Sequence, residues 1–258
     1  MLNTHPIPAF KDNYIWVIHN RCNAVVVDPG IAQPVIAFLQ ENQLKLDAIL
    51  ITHHHGDHTG GIADLRQFSN VPVYGPATEA IAGVTHPLRE RDQLDFPALS
   101  LQFFVLDIPG HTLGHIAYYA AYPFTMIFCG DTLFACGCGR IFEGTPQQMY
   151  QSLQKISGLP GTTRIYCAHE YTLSNLEFAV MLDPDNTKLI EFSEKARQLR
   201  HRNMPTIPTS PELERTINPF LRCTHHPIIS RVQNQFSQSS LTDPIRIFSL
   251  LREWKNRF

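Results

Sequence analysis

Directly after a β-rich run ending at Ile51 the chain reads Thr52-His53-His54-His55-Gly56-Asp57-His58-Thr59-Gly60-Gly61, and five of the six positions 53 to 58 carry metal-binding side chains. So dense a cluster is improbable by chance. If the segment leaves the strand extended, His53 and His55 point to one side and His54 to the other, which makes His54 the poor ligand of the three. Gly56 lets the chain turn, and Asp57 and His58, being adjacent, project in different directions from the first pair. A single ion would not collect all four.

Three further predicted strands end on the same residue types: Pro109-Gly110-His111 follows 101–106, Gly130-Asp131-Thr132 follows 125–128, and Ala168-His169-Glu170 follows 164–167. Strand C-termini from one sheet lie side by side, so the candidate ligands are His53, His55, Asp57, His58, His111, Asp131 and His169. A catalytic zinc takes about three protein ligands plus water, so this set is too large for one ion and suits two, with one carboxylate shared. Asp131 is the candidate bridge, because a carboxylate offers two oxygens where an imidazole offers one free nitrogen. Nitrogen and oxygen donors suit Zn, Fe or Mn without choosing among them. A structural staple is the weaker reading, since structural zinc favours four ligands, commonly including Cys, in a closed shell.

Short apolar runs at 24–27, 48–51, 71–74, 101–106, 125–128 and 164–167 read as strands, several apolar throughout as doubly buried strands are. A helix with Pro34 near its start fits 34–43. Beyond residue 170 the spacing of Leu189, Phe192, Ala196 and Leu199, and of Ile247, Leu251, Trp254 and Phe258, predicts amphipathic helices. Pro205, Pro208 and Pro211 mark an extended connection between helices. The expected organisation is an α/β domain over 1–169 and a helical domain over 170–258.

With 21 Lys+Arg against 23 Asp+Glu, the net charge of -2 gives no whole-protein attraction to nucleic acid or to an anionic membrane. No apolar run approaches a membrane span and the start lacks a leader-like pattern, so a cytoplasmic protein is expected. The six Cys are too sparse for a disulfide scaffold and read as reduced thiols, Cys136 and Cys138 included. His54 and His115 are expected in supporting hydrogen bonds, and His5, His19, His86, His201, His225 and His226 at the surface or in loops. Asp28-Pro29-Gly30 reads as a turn, with support of the metal edge as an alternative.

The His-x-His-x-Asp-His run, with Gly110-His111, Gly130-Asp131 and His169 downstream, resembles the metallo-β-lactamase superfamily. Closer still, 52–61, 109–115, 129–134, 138–145 and 168–172 resemble the glyoxalase II (hydroxyacylglutathione hydrolase) family, and the likeness runs to the C-terminus. That resemblance implies an αββα sandwich with a helical C-terminal domain and two divalent metal ions. It assigns one ion to His53, His55 and His111, the other to Asp57, His58 and His169, and Asp131 to both. It also implies that a metal-bridging hydroxide attacks the thioester of S-D-lactoylglutathione, the second step of methylglyoxal detoxification, with Asp57 and Asp131 as the catalytic carboxylates. Arg140, Tyr171, Arg252 and Lys255 match positions that hold glutathione. Arg252 and Lys255, three apart, share a helical face, although a solvated basic helix end is the plainer reading of the pair. Phe142 departs from the Tyr of some members, so one hydroxyl contact is absent.

The expected partner is a small glutathione thioester, with no nucleic acid or membrane, and the chain is expected to be a monomer. An alternative activity is that of a non-haem iron persulfide dioxygenase, which looks mononuclear, whereas Asp57, His58 and His169 are all present here. A nuclease would need a basic track along the metal edge, which the scattered Lys and Arg do not supply. Against a β-lactamase stand the start, which reads as cytosolic, and the tail carrying Arg252 and Lys255.

Overall fold

The computed structural model describes residues 1–258. Its strands are β1 (Asn3–Ala9), β2 (Asn13–His19), β3 (Asn23–Val27), β4 (Lys45–Leu50), β5 (Val73–Pro76), β6 (His86–Leu88), β7 (Gln93–Phe96), β8 (Leu101–Asp107), β9 (Ile116–Ala120), β10 (Met126–Gly130), β11 (Leu133–Phe134), β12 (Gly137–Cys138) and β13 (Arg164–Cys167). The helices are α1 (Gln33–Glu41), α2 (Gly56–Thr59), α3 (Ile62–Phe68), α4 (Pro146–Ser157), α5 (Thr172–Leu182), α6 (Thr187–His201), α7 (Pro211–Ile217), α8 (His226–Phe236) and α9 (Pro244–Arg257). Strands β1 to β6 form one sheet in chain order, a second has the order β13-β10-β9-β8-β7, and β11 and β12 make a small hairpin.

Alternation of side chains explains the layers. On β2, Trp16 and Ile18 enter the core between the sheets, while Ile15 and Val17 face Val35 and Leu39 of α1 and Ile62 and Leu65 of α3. Val25 and Val27 of β3 and Ala48 and Leu50 of β4 join the inner core, and their alternates Val26 and Ile49 join the outer one. Runs that are apolar on both faces therefore bury both, as the sequence implies. The second sheet packs with Met149, Leu153 and Ile156 of α4 and with Phe220, Ile247, Phe248 and Leu251 of the C-terminal region. This is the expected αββα sandwich, with five helices after residue 170.

Strands β8, β10 and β13 run the same way, because β9 is antiparallel to both β8 and β10 while β10 and β13 are parallel. Their C-terminal ends meet that of β4 along one edge of the sandwich. Close backbone approach at this edge depends on Gly30, where a Cβ would lie 1.9 Å from the Asp57 carbonyl oxygen.

The predicted strands and helices are present, with shifts of one to three residues at several ends. The strand expected at 71–74 is Val73–Pro76, and Pro211 opens α7 rather than closing the extended connection. His5, His19 and His86 lie in strands, where His5 stacks on Phe38 with ring centroids 4.5 Å apart. All six cysteines are free, and no helix is long and apolar enough to cross a membrane.

Candidate metal centre

Four loops deliver seven donors to one end of the sandwich, and they form two sets. His53 Nε2 lies 3.1 Å and His111 Nε2 3.0 Å from His55 Nδ1. In the other set, His58 Nε2 is 3.6 Å from Asp57 Oδ2 and 3.5 Å from Asp131 Oδ1, and His169 Nε2 is 3.5 Å and 3.3 Å from the same two oxygens. The second oxygen of Asp131, Oδ2, stands 3.4 Å from His111 Nε2. One carboxylate thus faces both sets with a different oxygen to each. An ion bound tetrahedrally at about 2.0–2.1 Å spaces its ligand atoms about 3.3 Å apart, which is the spacing seen here.

Outer hydrogen bonds fix which nitrogen faces inward. Thr52 Oγ1 gives its proton to Asp28 Oδ2 at 2.7 Å, so in its 3.0 Å contact with His53 the ring Nδ1 is the donor. His111 Nδ1 donates to the Arg140 carbonyl at 2.8 Å, His58 Nδ1 to Asp28 Oδ2 at 3.0 Å, and His169 Nδ1 to Asp12 Oδ1 at 2.8 Å. In each of these four rings Nε2 is left aimed at the centre, with its lone pair free to bind a cation once the ring is neutral. His58 Nε2 and Asp131 Oδ1 are buried with no hydrogen-bond partner, although such groups are normally satisfied. Lone pairs converging from imidazoles and carboxylates are complementary to a cation, so the residues fit bound metal.

Charge follows from the same arrangement. Burial disfavours a cation on His58, but Asp131, Asp28 and Asp57 outweigh it and raise its pKa to about 9. Burial also opposes ionisation of Asp131, yet His58, His169 and His111 hold its carboxyl well below the usual range. His53, buried and surrounded by His58, His115, His111 and His55, has its pKa pushed well down, as does buried His115 beside His111.

The donors floor a cavity of about 580 Å³ whose lining includes His55, Asp57, His111, Asp131 and His169, together with Arg140, Phe142, Tyr171, Arg252 and Lys255. Tyr171 stacks on His169 at 4.7 Å with the rings nearly parallel. Arg252 is buried, with Nη1 donating to the Cys138 carbonyl at 2.7 Å and its guanidinium over the Phe220 ring. Lys255 Nζ donates to the Ser174 carbonyl at 2.6 Å, and burial beside Arg252 lowers its pKa to about 8. The pair is therefore drawn against the cavity wall rather than out into solvent at the helix end. Phe142 is exposed at the rim, edge-on to His111 at 5.2 Å.

Among family models, one described as metallo-β-lactamase superfamily matches residues 10–169, and one described as hydroxyacylglutathione hydrolase C-terminus matches 170–258. A hydroxyacylglutathione hydrolase of Nitrosomonas europaea is 54% identical over 258 residues, which cover 100% of this chain and 97% of the relative. The chain belongs to the hydroxyacylglutathione hydrolase family. Another member, from Vibrio parahaemolyticus, is 51% identical over 262 residues, covering 100% of both chains. A solved structure, the BLEG-1 B3 metallo-β-lactamase, is similar with a TM-score of 0.63 and 24% identity over 86% of this chain and 99% of that one, a likeness of fold. As a hydroxyacylglutathione hydrolase family member the chain is a hydrolase, and it carries His and Asp groups arranged to bind metal.

In this hydroxyacylglutathione hydrolase fold, His54 turns away from both sets to Glu143, with Nε2 2.7 Å from Oε1. His115 stacks on His53 at 4.5 Å and accepts the Asp131 N–H at 3.1 Å. Asp28 is more than a turn residue: it also accepts the Thr52 N–H, at 2.8 Å. Asp12 and Asn13 are absent from the sequence-derived site. The signal that could have flagged them, polar residues at a strand-to-strand turn, is too common to single out a functional residue.

Proposed function

We propose that this chain hydrolyses 2-hydroxyacyl glutathione thioesters, S-D-lactoylglutathione among them, to the 2-hydroxy acid and glutathione, the second step of methylglyoxal detoxification. The observation that carries the reading is Asp131, which presents one oxygen to each donor set in a cavity that Arg252 and Lys255 also line. His53, His55 and His111 would hold one divalent ion and Asp57, His58 and His169 the other, with Asp131 shared; Zn is favoured, and Fe or Mn also suits the donors. Such ions supply Lewis acidity that polarises the thioester carbonyl and makes a water nucleophilic near neutral pH.

The chain's own residues do the rest. Asp57 remains ionised because His58 and the Asn13 amide offset its burial, so with Asp131 it keeps anionic oxygens beside the reacting carbonyl. Glutathione is anionic, and Arg140, Arg252 and Lys255 offer cations spaced along the wall while Tyr171 packs beside the reacting end. Phe142 supplies apolar contact at the rim without a hydroxyl. In this proposal residues 1–169 carry the donors and 170–258 much of the substrate wall, in a monomeric cytoplasmic enzyme, to which its reduced cysteines are suited.

The test measures thiol release from S-D-lactoylglutathione by metal-loaded protein, beside oxygen uptake with glutathione persulfide. Thiol release without oxygen uptake is the expected result. Oxygen uptake alone would replace the reading with a persulfide dioxygenase, and inertness towards every acylglutathione would sink it.

A further inference from the structure

The turn joining β1 and β2 touches one donor set and leaves the other alone. Asp12 Oδ1 accepts the Nδ1–H of His169 at 2.8 Å, and Asn13 Nδ2 donates to Asp57 Oδ2 at 2.9 Å. Neighbouring residues of one turn thereby grip donors from two separate loops, Asp57 at the start of α2 and His169 after β13. The turn is locked to the second loop through backbone: Glu170 N–H donates to Asp12 O at 2.9 Å, Tyr14 N–H to Ala168 O at 2.7 Å, and Asn13 bridges His169. Behind it, Glu170 accepts the Tyr14 hydroxyl at 2.9 Å and the Thr206 hydroxyl at 2.6 Å. His53 and His111, by contrast, give their outer N–H groups to Thr52 Oγ1 and the Arg140 carbonyl, and both acceptors are uncharged.

We propose that Asp12 and Asn13 are positioning residues that control how tightly Asp57, His58 and His169 retain a cation, independently of retention by His53, His55 and His111. A carboxylate accepting the Nδ1–H orients the His169 ring and strengthens the lone pair on its Nε2. The Asn13 amide occupies one lone pair of Asp57 Oδ2 and leaves the other aimed between His58 and His169. Because the donor is neutral, Asp57 keeps its full negative charge. The inference rests on the functional reading only in requiring two bound cations.

The experiment uses the full chain loaded with zinc and dialysed against graded chelator, with retained zinc measured directly and folding followed by circular dichroism. Asp12→Ala and Asn13→Ala are expected to release one equivalent at about 10–100-fold lower chelator than wild type. The other equivalent leaves at the wild-type concentration. Asp12→Asn, whose amide oxygen still accepts the imidazole proton, falls between. In a chain already carrying His58→Ala, adding Asp12→Ala leaves release of the remaining equivalent unchanged. Release curves that superimpose on wild type, or a parallel weakening of both equivalents, overturn the proposal. Should Asp12→Ala not fold, Asp12→Asn and Asn13→Ala decide the matter on the same criterion. A wild type that retains two equivalents but cleaves no acylglutathione refutes the functional reading and leaves this inference standing, whereas a wild type retaining fewer overturns it whatever it hydrolyses.

Discussion

Lys255 illustrates how a residue's setting converts into a measurable pH dependence. Its ammonium is desolvated and lies beside Arg252, so its pKa falls from 10.5 to about 8. A lowered pKa in a lysine means that the charge is present below about pH 8 and disappears as pH rises through it. If the cation holds an anionic thioester, KM should climb above about pH 8 while kcat changes little, and Lys255→Arg should flatten that rise. Steady-state kinetics from pH 6 to 10 check this, and a KM independent of pH across the range would remove Lys255 from the binding wall. Gly139 makes a steric counterpart, since a Cβ there would lie 1.9 Å from the Asp131 carbonyl oxygen. Gly139→Ala must displace Asp131, and a shift of about 1 Å at a reacting centre can cost about 100-fold in rate. A folded variant with wild-type kcat would contradict that placement. Much of this centre is legible in the sequence because imidazoles and carboxylates seldom recur at successive strand ends except to hold a cation. Asp12 and Asn13 are illegible because Asn and Asp are ordinary turn formers, and Asp28 is legible only as an alternative to a plain turn; the fold reveals which of them meets an imidazole.

At the scale of elements, the β11–β12 hairpin that follows Asp131 is held by side chains from the helices. Asn218 Nδ2 donates to the Gly137 carbonyl at 2.9 Å, Asn175 Nδ2 to Ala135 O at 3.1 Å, and Glu214 accepts the Cys136 N–H at 2.9 Å. Arg252 completes the set at Cys138 O. Asn218→Ala removes the buried hydrogen bonds to the Gly137 carbonyl and to Glu214 Oε2, at a cost of about 1–3 kcal/mol. Lower denaturant stability together with lower kcat is the expected outcome, because the hairpin leads directly from Asp131 towards Arg140; loss of stability with kcat unchanged would show the anchor to be merely structural. Strand β1 shows where period-based reading fails. It contains Pro6 and Pro8, which argue against a strand, yet it is a sheet edge pairing only with β2, where missing N–H groups are tolerated. Helix α5 eludes it for another reason: it is packed on several sides, with Leu176, Phe178, Ala179 and Leu182 all buried, so no single apolar stripe appears. α6 and α9, one-sided and longer, are readable in advance.

Across the whole molecule, the division near residue 170 separates two proposed tasks, and it does not separate two cores. Phe178, Leu182, Phe220, Ile228, Val232, Ile247, Phe248 and Leu251 belong to the same buried cluster as Phe103, Phe128 and Ile165 of the second sheet. Cutting the chain after His169 would leave the part of that sheet's outer side not covered by α4 facing water, with α4 losing its neighbours on α7 and α9. Large contiguous apolar surface of this kind drives association. Residues 1–169 alone, although they carry every candidate donor, are therefore expected to be insoluble or aggregated, and their zinc uptake should fall well below that of the full chain. Co-expression of 170–258 as a separate polypeptide should restore a soluble complex, because the lost contacts are non-covalent. Sedimentation and zinc analysis of the fragment decide between the possibilities: a soluble monomeric 1–169 that loads zinc like the intact chain would mean that the helices only recognise substrate and take no part in building the centre.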